Sequence, residues 1–235
     1  MLFPSPLISG RLIKRYKRFL ADIVLDDGTQ ITAHCANPGS MMGVAPEGAR
    51  VWVSRSSNKA RKLPFSWELV EINDSLIAIN TSNPNKIGAQ AIEAGMIPEL
   101  SGYKSLRREV KYGENSRIDI LLEEGPRAAP TAYVEIKNVH LMREPGLAEF
   151  PDSVTSRGAK HLRELALMTS KGFRAVMLYI VQRNDCERFS LARDLDPAYA
   201  SAFDEAVKAG VDVMCYDCEI STSEVTLRRA IPLDL

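Results

Sequence analysis

The sequence has no surplus of either charge: thirty Lys and Arg stand against thirty Asp and Glu in 235 residues. A polyanion would therefore have to be held by local basic patches, because no whole-molecule field draws it in. Long apolar runs are missing as well. The longest, around Ala175 to Val181, falls far short of the roughly 20 residues that cross a bilayer, so no membrane partner is expected. The opening residues, Met1-Leu2-Phe3-Pro4-Ser5-Pro6, contain no basic residue, no long apolar stretch and two prolines. That does not fit a secretory leader, and a cytoplasmic location is expected. Cysteine is scarce: Cys35, Cys186, Cys215 and Cys218, of which only the last two form a C-x-x-C. Neither a second Cys pair nor a spaced His pair accompanies it, as a structural zinc site would require. Reduced thiols in or beside a partly buried strand are the expectation.

What is present is ample apolar material, 45% of the chain, enough for one large core or two small ones. The first eighty residues read as short strands broken by turns. Arg18 to Leu25 and Thr29 to Cys35 flank Asp26-Asp27-Gly28, a hairpin signal because Asp-Gly tolerates the positive φ of tight turns. Val51 to Arg55, Phe65 to Ile72 and Leu76 to Asn80 follow. Five short strands without a helix predict an OB-like five-stranded β-barrel.

After Asn83-Pro84-Asn85 the period changes. Lys86 to Ala94 has helical spacing, with Asn85 as N-cap and Gly95 as stop. Strands are then expected at Leu106 to Tyr112, Arg117 to Leu122 and Tyr133 to Val139, a helix at Arg157 to Thr169, and a strand at Arg174 to Gln182. The predicted fold is α/β (α+β, two-domain): a barrel over residues 1–82 and a mixed sheet flanked by helices over residues 83–235, with no low-complexity linker and no internal repeat.

Two of those strands carry charges in otherwise apolar sequence: Asp119 in the first, then Glu135 and Lys137 in the second. Alternation puts Glu135 and Lys137 on one face and Val134 and Ile136 on the other. If the Glu123 to Thr131 segment is the turn of a hairpin, Asp119 and Glu135 become neighbours in one sheet. Two hard oxygen donors suit Mg²⁺ or Mn²⁺ rather than zinc. A divalent ion there would activate water against a phosphodiester, with Lys137 orienting that water or stabilising phosphate charge. The bland alternative is a strand salt bridge worth under about 1 kcal/mol, or a metal-free ion network that only holds the sheet together.

This Asp, then Glu-x-Lys, on consecutive strands resembles the core of the PD-(D/E)xK nuclease superfamily, without the proline that often precedes the first acid. The stretches Glu149 to Leu162, His34 to Met41 and Thr81 to Asn85 resemble the sugar fermentation stimulation protein A family over essentially the whole chain. The resemblance implies an OB-like domain followed by a nuclease-like domain, largely nonspecific DNA binding, and a link to regulation of maltose use. Nuclease activity is inferred from fold within that family, and fold alone does not establish catalysis.

Nucleic-acid contacts have their own candidates. Lys14, Arg15, Lys17 and Arg18 cluster with Arg11 around Tyr16, and Arg55, Lys59, Arg61 and Lys62 form a second basic group between two barrel strands. Tyr16, Trp52 and Trp67 are candidate stacking platforms, although aromatics on short barrel strands are more often core. On the helix at 157–169, Arg157, Lys160, His161 and Glu164 share the face opposite Leu162 and Leu165. Single-stranded DNA is one expected partner. A regulator that binds DNA without cutting it stays open too: Phe203 to Lys208, Gly210 and Ser221 to Arg229 loosely resemble a helix, a turn and a basic helix. Val211 to Tyr216 between them is strand-like, which a helix-turn-helix does not accommodate.

Overall fold

The computed structural model describes residues 1–113 and 116–235. The strands are β1 (Ile8–Tyr16), β2 (Leu20–Leu25), β3 (Gln30–Cys35), β4 (Arg50–Arg55), β5 (Phe65–Ile72) and β6 (Ser75–Ala78), followed by helix α1 (Pro84–Glu93). Then come β7 (Ser105–Tyr112), β8 (Ser116–Glu123), β9 (Ala132–Val139), β10 (Leu141–Glu144) and β11 (Leu147–Phe150). Helix α2 (Ser156–Ser170), β12 (Arg174–Val181), β13 (Arg188–Leu191), α3 (Pro197–Lys208), β14 (Asp212–Ile220) and β15 (Val225–Ala230) complete the chain.

The first sheet runs β3-β2-β1-β4-β5-β6 and closes through a β3–β5 pairing, so β1 to β5 form a five-stranded ring with β6 hairpinned onto β5. The barrel is the OB type expected, but its first strand is β1, which the sequence pattern hides. Along Ile8–Tyr16 only Gly10 and Leu12 are buried, and charged residues occupy much of the rest. A Cβ at Gly10 would collide with the Val24 carbonyl, so β1 approaches β2 this closely only with glycine there. Trp67 lies wholly inside the barrel and donates its indole N–H to the Leu69 carbonyl, while Trp52 is buried against the second sheet. Neither tryptophan is a stacking platform: burial takes up the ring faces that a base would need.

The second sheet runs β15-β14-β12-β9-β8-β7, with β12 parallel to both β9 and β14 and the outer pairs antiparallel. Helices α2 and α3 pack on one face around Leu162, Leu165, Tyr179 and Phe203. The other face receives α1 and a side of the barrel, through Ile87, Ile92, Leu69 and Trp52. Gly88 lets α1 lie tight on β9, since a Cβ there would sit 2.6 Å from Ile136 Cδ1. The N-cap of α1 is Asn83 rather than Asn85, and Gly95 follows it at φ +71 as a left-handed stop. A small third sheet, β10-β11-β13, flanks the α2 side.

Residues 225–230 form β15, an edge strand paired with β14. The basic segment that would have been a recognition helix is therefore a strand, and that version of the DNA-binding regulator is excluded. Cys215 and Cys218 are buried and reduced; the first packs on the α2 face and the second on the α1 face, because residues three apart on a strand point opposite ways. Among the described residues no helix is long and apolar enough to cross a membrane.

Candidate metal and nucleic-acid site

Strands β8 and β9 pair antiparallel with Ile120 opposite Val134, and the next pair outward along that register is Asp119 and Glu135. There the ladder gives way to side chains. Asp119 Oδ2 accepts the Ile136 backbone N–H at 2.7 Å, and Oδ1 accepts Asn85 Nδ2 at 2.6 Å from the first turn of α1. On the far side of β8, Glu109 sits at φ +55, in the left-handed region, where the β7 register skips a residue opposite Asp119. Its carboxylate lies 3.4 Å from the same Asn85 amide.

Glu135 is 2% exposed. Its Oε1 accepts Lys137 Nζ at 2.6 Å and also contacts His161 Nδ1, while Lys137 Nζ lies 3.2 Å from that same ring nitrogen. Arg157 Nε donates to His161 Nε2 at 3.3 Å. The other oxygen, Glu135 Oε2, is buried with no hydrogen-bond partner among the described residues. These groups line a pocket of ≈270 Å³ together with Thr81, Asn85 and Thr155. Burial, and then the Glu135 charge, push the Asp119 carboxyl up to about 6 despite the Ile136 amide. Burial works to raise Glu135 too, but Lys137 and then His161 outweigh it and hold that carboxyl below its ordinary range.

Among the described residues no group of three or more His, Cys, Asp or Glu gathers to hold a metal. Two carboxylates fit an ion that keeps much of its water, as Mg²⁺ does. The orphaned Glu135 Oε2 supports that fit, because a buried carboxylate oxygen without a partner is costly unless something cationic faces it.

The other expected contact residues separate. Arg157 lines the pocket. His161 is 5% exposed and spent on Glu135, and Glu164 is buried as well, so this part of the helix face packs over Glu135 of β9. Lys160 stays exposed, 3.7 Å from Glu164 Oε1. Arg15 donates to the carbonyls of Asn37, Gly39 and Ser40 and so holds a barrel loop together. Tyr16 gives its hydroxyl to Asp22, with Lys14 over its ring. Lys17 and Arg18 form the exposed β1–β2 turn. Arg55 and Arg61 line a polar barrel pocket of ≈740 Å³ with His34 and Ser54, and Lys59 and Lys62 are exposed in the loop beside it. Sequence reasoning missed Asn85 as a partner of Asp119, and missed Thr81 and Thr155; none belongs to a residue type or spacing that announces such a role.

Comparison with known proteins agrees with this architecture. Residues 13–79 match the model described as the SfsA N-terminal OB domain, and residues 82–224 match the sugar fermentation stimulation protein RE domain, a restriction-endonuclease-like unit. Sugar fermentation stimulation protein homologs from Rhodospirillum centenum and Brucella ovis are 55% and 53% identical, aligning over 99% and 100% of this chain and 99% and 98% of their own. The solved structure of Pyrococcus furiosus SfsA in complex with Ca²⁺ superposes with a TM-score of 0.89 at 26% identity, over 100% of this chain and 98% of that one.

Proposed function

Because the chain belongs to the sugar fermentation stimulation protein family, we propose that it binds nucleic acid, largely without sequence preference, and cuts it at a divalent-metal site formed by Asp119, Glu135 and Lys137. The observation that carries this reading is the buried, unpartnered oxygen Oε2 of Glu135, a residue that lines one pocket with Asp119 and Lys137. The Ca²⁺ complex of the Pyrococcus furiosus relative supports a divalent ion of this kind.

Asp119 and Glu135 would hold Mg²⁺ or Mn²⁺, which when bound polarises a phosphoryl oxygen and brings the pKa of its water toward neutrality. The chain does the rest. Asn85 and the Ile136 amide fix both oxygens of Asp119, so the carboxylate does not rotate away. His161 and Lys137 together hold Glu135 Oε1, which leaves Oε2 without a protein partner among the described residues. The Lys137 ammonium, half spent on Glu135, stays within reach of an attacking water or of charge growing on the phosphate. Arg157 adds a second positive charge at the rim. The exposed Lys17, Arg18, Lys59 and Lys62 and the pocket-lining Arg55 and Arg61 supply local basic ground on a chain of zero net charge.

The test is to incubate purified protein with single- and double-stranded DNA and with RNA, with and without Mg²⁺ or Mn²⁺, beside Asp119→Ala. Metal-dependent cutting lost in the variant is expected. Cutting that survives the substitution places the chemistry elsewhere. Binding that weakens with salt but never leads to cutting selects the non-catalytic regulator, and with it a role in sugar metabolism by occupancy of DNA.

A further inference from the structure

The pocket over Asp119 and Glu135 adjoins a second cavity. Thr81 and Thr155 line both. The second cavity, ≈350 Å³, lies between the barrel and the sheet domain: Arg18 of the β1–β2 turn contributes one wall, and Asn138 and His140, just beyond Lys137, contribute another. Three strand residues span roughly 10 Å. A stacked run keeps its bases on its own axis, whereas a nucleotide swung out of the stack carries its base sideways, toward a cavity beside its phosphate.

Its chemistry suits a base. Phe150, Pro38 and Leu141 supply apolar wall. His140 is 4% exposed, and its Nδ1 meets Asn138 Nδ2 at 3.0 Å, while Asn138 Oδ1 is taken by Gln182. That arrangement makes Nδ1 the acceptor and places a ring proton on Nε2. Nε2 is buried, 3.4 Å from Asp152 Oδ2 but poorly aligned with it, and has no hydrogen-bond partner among the described residues. Apolar walls with one or two convergent polar atoms are how enzymes seat an extruded base. Among the lining residues Val154 is 74% exposed, and Phe19, which follows Arg18 in the chain, is 51% exposed. Apolar side chains so placed unstack a base step by inserting into it.

We infer that this cavity holds one unstacked base of a nucleic-acid strand, adjacent to the phosphodiester over Asp119 and Glu135, with His140 Nε2 donating to a base acceptor and Arg18 meeting the neighbouring phosphate. The inference rests on the nuclease reading and narrows it: the preferred substrate is single-stranded or locally unpaired at that nucleotide, because a base swung out of the stack has given up its paired partner.

The experiment walks 2-aminopurine through a short single-stranded oligonucleotide bound to the full-length protein in EDTA, with anisotropy reporting binding independently of fluorescence intensity. A several-fold rise at one position is expected, with the same position favoured in a duplex only when it is mismatched. Ser153→Trp, introduced at an exposed residue lining the mouth, should abolish the rise while the anisotropy still shows the strand bound. His140→Ala should weaken the rise without removing binding. A bound strand showing no position-specific rise, or a rise untouched by Ser153→Trp, overturns the base pocket and leaves nucleic-acid binding standing. Absence of any binding by anisotropy removes both readings. Cutting is scored separately with Asp119→Ala, so loss of cleavage alone does not bear on the pocket.

Discussion

Asp119→Asn should make the metal-free protein more stable at neutral pH relative to its stability in mild acid. Folding moves this carboxyl from its ordinary 3.8 up to about 6, through burial and then the neighbouring Glu135 charge. At about 1.36 kcal/mol per pH unit, the ionised carboxylate costs the fold on the order of 3 kcal/mol. The folded state holds its proton more tightly than the unfolded chain, so wild-type stability falls as pH rises from about 4 to about 6 and the penalty is complete above that. Asparagine cannot ionise and escapes it. The substitution has a cost of its own: one amide oxygen must serve both Asn85 Nδ2 and the Ile136 N–H, a mismatch worth about 1–3 kcal/mol. That cost does not depend on pH.

The informative quantity is therefore the change with pH in the stability difference between variant and wild type, from urea unfolding in EDTA between mild acid and mild base. The difference should shift toward the variant by on the order of 3 kcal/mol across that interval. Adding Mg²⁺ or Mn²⁺ at mild base should reverse the order, since a ligand at a hundred times its Kd stabilises by about 2.7 kcal/mol, and the variant lacks one of the two carboxylates. A stability difference that stays flat with pH would refute the electrostatic account. Equal metal stabilisation of both proteins would place the ion away from Asp119.

Lys137→Met should destabilise the protein by about 3 kcal/mol, because it strips a buried carboxylate of its ammonium and leaves His161 as the remaining contact of Oε1; chemical unfolding near neutral pH measures this, and a neutral result would mean that the Glu135 charge is satisfied without the lysine. Asp152 behaves oppositely to Asp119. Burial opposes its charge, but His140 and the Met41 amide outweigh burial and hold the carboxyl down at about 2. It therefore contributes roughly 2 kcal/mol above pH 4, lost as pH falls from about 4 toward 2. Asp152→Asn should flatten that part of the acid-unfolding curve, and an unchanged curve would deny the contact its role. Gly39→Ala should lower stability by about 1–3 kcal/mol, since a Cβ there falls inside contact distance of the Asp152 carboxylate; calorimetry showing no shift would mean that the loop yields freely.

Much of this was legible in the sequence because alternation carries information wherever one face of a strand is buried. β2 reads half-buried and buried in strict turn, and its hairpin to β3 is written in Asp27-Gly28, where Asp27 Oδ1 accepts the Thr29 amide and Gly28 takes φ +85. The acids and lysine on β8 and β9 were visible for the same reason: charges at positions the period assigns to an apolar sheet. β1 was not visible, because its buried residues are a glycine and a leucine among basic side chains, and a basic run reads as surface whatever its backbone does. The α2 face was legible only in part, because helical spacing divides residues into faces without saying what covers the polar one. His161 and Glu164 lie on the polar side by period but against β9 and the β7 end by packing, and that depends on a strand more than twenty residues away.

The segment between β6 and α1 explains why the barrel belongs to the site. It has none of the composition of a linker, and the structure gives its residues to both sides. Asn80 Nδ2 donates to the buried Glu68 of the barrel at 2.8 Å, and Thr81 donates its amide and hydroxyl to the Ala36 carbonyl. Asn83 then starts α1, and two residues later Asn85 reaches Asp119. Within six residues a barrel carboxylate and the proposed metal-binding carboxylate are joined by short side chains with few rotamers. On the opposite side, Asp152 accepts from Ser40 and the Met41 amide of the barrel loop while lying 3.4 Å from His140, the residue after β9. A barrel held at both points cannot swing on a flexible tether. On the proposed function, a nucleic-acid strand lying across the basic turn at Lys17 and Arg18 would be presented to Asp119 and Glu135 by a barrel fixed in place, so that binding energy gained on the barrel would help to position a phosphate at the acids.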